Sequence, residues 1–254
     1  MTTILAAVDD SPAAAPVIAT AVAIAPLFGA EVRAVEIADA VGRTAQAAGE
    51  AVSIPVSAVQ GDPLTEISRL AADDDVVAVV LGARDRIRGP NPIGHLALAL
   101  ANTSPKPVII VPPGARPPAR VRRALLALKG TPHSRRPLQR AVALAADTDL
   151  EVVVVHVDDE DSMPSFTDHV QYDTEVYATE FLGRYAPGAM NARVELRIGI
   201  PADEILHAID EVQPDILAIG WPQSDDPTRG AAARDILNRS RIPVLLVALT
   251  NPPT

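Results

Sequence analysis

Short β-branched runs alternate with segments of helical spacing along the whole chain. The runs Ile4 to Val8, Val32 to Ile37, Val56 to Val59, Val76 to Leu81 and Val108 to Val111 predict strands. The same kind of run returns at Ala124 to Leu128, Val152 to Val157, Val194 to Ile198, Ile216 to Ile219 and Val244 to Val247. Helices are expected to open after Ser11-Pro12 and Asp62-Pro63, because proline is tolerated in a first helical turn. The apolar stretch Ala13 to Phe28 reads as a buried helix: it contains Pro16 and Pro26 and is shorter than the ~20 residues that a membrane span needs. Strand alternating with helix predicts an α/β fold with a parallel, doubly wound sheet.

The pattern occurs twice. Gly61-Asp62-Pro63-Leu64-Thr65-Glu66-Ile67 matches Gly199-Ile200-Pro201-Ala202-Asp203-Glu204-Ile205 at a separation of 138 residues, which also joins Gly82 to Gly220. Pro107-Val108-Ile109-Ile110-Val111 matches Pro243-Val244-Leu245-Leu246-Val247 at 136, and Glu31-Val32 matches Glu151-Val152 at 120. Four anchors in one order predict two tandem five-stranded domains, residues 1–112 and 121–254, joined by a Pro- and Gly-rich linker at 113–120. The second copy gains 18 residues between its second and third strands, around Asp158 to Ala192, where a longer helix is expected over Phe166 to Tyr185.

Composition narrows the function. A formal net charge of -10 argues against nucleic-acid or anionic-membrane partners, which select a basic face. With no cysteine there is neither disulfide nor thiolate metal site, which fits a reducing cytoplasm. Met1-Thr2-Thr3-Ile4-Leu5 lacks the basic start of a secretory signal. The histidines at 95, 133, 156, 169 and 207 have no paired ligand spacing, and no P-loop, G-x-G-x-x-G, H-E-x-x-H or nucleophile elbow occurs. Asp73-Asp74-Asp75 reads as a solvated turn, and Asp158-Asp159-Glu160-Asp161 as a solvated loop.

In a doubly wound sheet, ligands sit beyond the carboxyl ends of the strands, where strand order reverses. In the first copy those loops are Val8-Asp9-Asp10-Ser11-Pro12 and the stretch from Gly82 to His95. A glycine leaving a strand and another opening a helix let backbone N–H groups approach a phosphate. Arg84, Arg86 and Arg88 read as a solvated loop paired with carboxylates, with guanidinium contacts to a phosphate as the alternative. In the second copy Lys129 stands at the acidic position, and Gly220-Trp221-Pro222-Gln223 leads through Asp225 and Asp226 to Gly230. Gly94 to Pro107 and Gly230 to Pro243 both span 13 residues. Trp221 is left with two readings, a base-stacking ring or a cap on the core or an interface.

With Ile4-Leu5-Ala6-Ala7-Val8-Asp9, Gly61-Asp62-Pro63 and Pro107-Val108-Ile109-Ile110-Val111 in this order, the chain resembles the universal stress protein family, twice over. In ATP-binding members the loop reads Gly-x2-Gly-x9-Gly-Ser/Thr. The resemblance implies Asp9 for the nucleoside, Ile37 against adenine, and Gly82 and Gly94 on phosphate. The middle glycine is here Asp85, the loop is one residue short, and His95 replaces the Ser/Thr. A carboxylate there repels phosphate. The expectation is therefore a non-enzymatic cytoplasmic regulator with a degenerate nucleotide site. The alternative is a sensor holding ATP or another adenine nucleotide weakly, in the first domain alone. A slow nucleotide hydrolase is a third reading, without a recognisable base or metal cluster. The resemblance also implies pairing of last strands, Val108–Val111 with Val244–Val247, as a pseudo-dimer within the chain. Homodimerisation of the whole chain and an unidentified protein partner complete the expectations.

Overall fold

The structure, a computed structural model, describes residues 1–83, 93–128, 148–158, 183, 192–224 and 230–249. The first half runs β1 (Thr2–Val8), α1 (Ala14–Ile24), β2 (Ala30–Ile37), α2 (Arg43–Glu50), β3 (Val56–Val59), α3 (Pro63–Ala71), β4 (Val76–Gly82), α4 (His95–Thr103) and β5 (Val108–Val111). The second half contributes β6 (Arg123–Ala127), β7 (Glu151–Asp158), β8 (Arg193–Ile198), α5 (Pro201–Val212), β9 (Ile216–Trp221), α6 (Ala231–Arg239) and β10 (Val244–Ala248).

All ten strands form one sheet in the order β3-β2-β1-β4-β5-β10-β9-β6-β7-β8. Every pairing inside a half is parallel, and both halves have the same doubly wound order. The halves meet where β5 and β10 run antiparallel, with Ile109 opposite Leu245 and Val108 opposite Leu246. That pairing covers two edges that would otherwise leave main-chain groups open.

The two faces of the sheet follow from alternation along each strand. Leu5, Ala7, Val79, Leu81, Val108 and Ile110 turn to the side of α3 and α4, together with Leu217 and Leu246 on the side of α5 and α6. Ile4, Ala6, Ala78, Val80 and Ile109 turn the other way, under Val17, Ile18 and Ala21 of α1. Because both faces are covered, the strands read as nearly continuous aliphatic runs.

The repeated Gly-x-Pro turns are also repeated in geometry. Gly61 has φ +139° and Gly199 φ +145°, in the region that favours glycine. Asp62 then caps α3 by accepting the Thr65 N–H at 2.9 Å, whereas Ile200 in the same place before α5 offers no side-chain cap.

Several boundaries differ from those the sequence predicts. The buried helix ends at Ile24, and Ala25–Phe28 form a 3-10 turn with Pro26 in its first positions and Gly29 left-handed at its end. Proline cannot donate the backbone hydrogen bond that would continue the α-helix. Strand β9 runs on to Trp221, and β6 stops at Ala127. Helix α2 has no counterpart in the sequence prediction. The expected helix over Phe166 to Tyr185 lies outside the described residues, apart from the single residue Gly183.

Candidate functional site

The four residues assigned to a nucleotide converge at one end of the first half. Ala7 pairs with Leu81, and Val8 with Glu36, so Asp9, Ile37 and Gly82 reach the carboxyl ends of three adjacent strands together. Strand order reverses between β1 and β4, which makes this the switch point of the half. Gly94 caps α4 there, and its N–H donates to the Ala83 carbonyl at 2.6 Å. Its backbone is extended, with φ -66° and ψ 153°. Arg84, Asp85, Arg86 and Arg88 lie outside the described residues.

The same site carries internal partners. Asp9 accepts a hydrogen bond from the Ser11 hydroxyl, and the Ser11 N–H donates to the Asp9 carbonyl at 2.8 Å. Asp10 Oδ1 accepts the Thr44 N–H at 2.7 Å. Glu36, only 4% exposed, accepts the Gly42 N–H through Oε2 at 2.7 Å. Two carboxylates from the ends of β1 and β2 thus hold the N-terminus of α2, which favours negative charge. Gly42 is required by that contact, since a Cβ there would lie 2.3 Å from Asp10 Cγ. Asp10, Glu36 and Gly42 carry no assignment from sequence. A carboxylate between Val35 and Ile37, in a β-branched run, was the available signal.

In the second half the same place is built differently. Gly220 is the penultimate residue of β9, and a Cβ on it would lie 2.7 Å from Leu249 Cδ2. Trp221 occupies the position of Ala83 in the first half and is 1% exposed. Its indole N–H donates to Asn102 Oδ1 of α4 at 2.9 Å, and the Arg234 guanidinium stands 5.3 Å from the ring centroid. Gly230, left-handed at φ +77°, packs so that a Cβ would meet Pro222 Cγ at 3.1 Å. Trp221 therefore caps an interface between the halves, of the two readings left open by sequence. Lys129, Asp225 and Asp226 lie outside the described residues.

At the second-half position equivalent to Glu36 stands His156, 7% exposed. Its Nδ1 lies 2.8 Å from the Leu128 carbonyl oxygen, and its Nε2 lies 3.2 Å from Asp158 Oδ1. Among the described residues no group of three His, Asp or Glu is placed to hold a metal ion. No helix among them is long and apolar enough to cross a membrane. An apolar cavity of about 620 Å³ lies elsewhere, against Ile24, Leu27 and Phe28 on one side and Leu126, Ala218 and Leu245 on the other. Its described lining includes none of Asp9, Ile37, Gly82 and Gly94.

A family model described as the universal stress protein family matches residues 120–248. The match falls on the half whose candidate site is the more altered. Among solved structures, a universal stress protein from Archaeoglobus fulgidus DSM 4304 is similar over 97% of this chain and 96% of its own, with a TM-score of 0.68 and 17% identity. A putative universal stress protein from Pseudomonas aeruginosa UCBPP-PA14 is similar over 98% of this chain and 93% of its own, with a TM-score of 0.67 and 15% identity. At these identities the likeness shows the fold. No curated protein sequence matches the chain.

Proposed function

The chain belongs to the universal stress protein family, and from that premise we propose that it is a non-enzymatic, cytoplasmic regulatory protein with a degenerate nucleotide site. The observation that carries this reading is the closure of the second half. Trp221 turns into α4, Leu249 lies against Gly220 and Pro222 packs on Gly230, which supports a second-half site filled in part by this chain's own side chains. In the first half, two of the groups that would meet a ligand are engaged internally. Asp9 holds Ser11, and the Gly94 N–H is spent on Ala83. With Asp85 in place of a glycine in the connecting loop, tight ATP binding is disfavoured.

One observation favours a second reading, a sensor that holds an adenine nucleotide in the first half alone. Asp9, Ile37, Gly82 and Gly94 do reach one switch point. Thermal unfolding with ATP, AMP, cyclic AMP or buffer separates the two. The leading reading expects the same midpoint in all four. A ligand present at about 100 times its dissociation constant stabilises the folded state by about 2.7 kcal/mol, so a clear upward shift with ATP selects the sensor.

A further inference from the structure

Helix α4 is held at both ends by different parts of the chain. At its start, Gly94 bonds to Ala83 at the end of β4. At its end, the second half takes over. Trp221 donates to Asn102, and the Gln223 side-chain amide donates to the Ser104 carbonyl at 2.8 Å, with Ala101 O at 3.4 Å. Ala101 O is among the last carbonyls of the helix, which have no intrahelical partner, and Ser104 is its C-cap. Gln223 reaches them from a left-handed backbone, φ +45°, a cost that a non-glycine residue bears only where its surroundings over-determine it. After β4, Ala83 bonds to the start of the helix of its own half; after β9, Trp221 and Gln223 bond to the end of that same helix from the other half.

We infer that Trp221 and Gln223 are positioning residues for the first-half site, and that α4 couples that site to the second half. The helix has nine residues, so its two ends lie only about 13 Å apart at 1.5 Å per residue. Leu100, fully buried, and Ala97 and Ala101 pack it against the sheet. A shift of the Gly94 end is therefore felt at Asn102, and release of Asn102 loosens the Gly94 end. In the second half it is Trp221 and Gln223 that clamp α4. This inference rests on the first half being the ligand-facing one.

The test uses the full chain without nucleotide, so its failure leaves the nucleotide reading untouched, and the reverse. Hydrogen exchange is followed along α4 and, as an internal control, along α3. Gln223→Ala and Asn102→Leu are expected to speed exchange of the α4 amides, those of Leu98 and Ala99 included, about tenfold, the effect of losing one net hydrogen bond. Exchange in α3 stays unchanged. Asn102→Asp keeps an acceptor for the indole and restores wild-type exchange. In the opposite direction, Gly94→Pro suits the φ of -66° but deletes the bond to Ala83, and is expected to shift the emission of Trp221, the only tryptophan. Unchanged α4 exchange in Gln223→Ala, or unchanged Trp221 emission in Gly94→Pro, overturns the inference.

Discussion

Glu36 and His156 occupy the same position in the two halves, 120 residues apart, and each is buried and bonded to main chain near the carboxyl end of its strand. The roles are opposite in sign of partner. Glu36 accepts from the Gly42 N–H, whereas His156 faces the Leu128 carbonyl. The first half has thus placed an acceptor where α2 begins, and the second a ring beside its own β6.

From that relationship, Glu36→Ala leaves the half-buried Gly42 N–H without its acceptor. The expected loss is about 1–3 kcal/mol in denaturant unfolding. Glu36→Gln keeps a carbonyl oxygen in reach and should cost less. Equal losses for the two variants would show that the Gly42 bond is not what Glu36 supplies.

The two Gly-x-Pro turns make an ordered pair of predictions. Alanine at either glycine meets an unfavourable φ, costing on the order of 1–3 kcal/mol. At Gly61 the new Cβ would also lie 2.6 Å from Glu66 Cγ, against 3.2 Å from Glu204 Cγ at Gly199. Thermal midpoints should therefore fall further for Gly61→Ala than for Gly199→Ala, and the reverse order would refute the close approach at Gly61.

The fold was legible largely because its strands are covered on both faces. Runs such as Val76 to Leu81 and Val108 to Val111 announce themselves without any distant partner, and the glycine and proline anchors mark equivalent turns. The parts that escaped depend on residues far along the chain. Helix α2 is a short alanine-rich segment containing Gly49, and Asp10 and Glu36 fix where it starts. The role of Trp221 was open because its partner, Asn102, lies 119 residues away in the other half. Of the site, the resemblance to the family pointed to Asp9, Ile37, Gly82 and Gly94, and the strands bring them to a common end. Sequence could not show that Gly94 and Gly230, equal in spacing, differ in backbone: one is extended and the other left-handed.

Asp62 supplies a pH-dependent prediction. The Thr65 N–H, and after it the Thr65 hydroxyl, bond the carboxylate and hold its pKa below the ordinary aspartate value. A folded-state pKa below the unfolded one adds stability that is present above the unfolded value and is lost as pH falls through the folded one. Wild type should therefore melt above Asp62→Ala at neutral pH, and the gap should narrow as the carboxyl protonates in acid. A gap that widens on acidification would contradict the cap.

The central claim is that neither half holds ATP as a ready nucleotide site would. Equilibrium dialysis of the full chain against labelled ATP tests it most directly. The account predicts binding no tighter than a dissociation constant of about 1 mM, equivalent to about -4.1 kcal/mol. Saturable binding in the micromolar range would contradict it: one ATP per chain that disappears in Asp9→Ala would establish the first-half sensor, and two per chain would show that Trp221 does not close the second half.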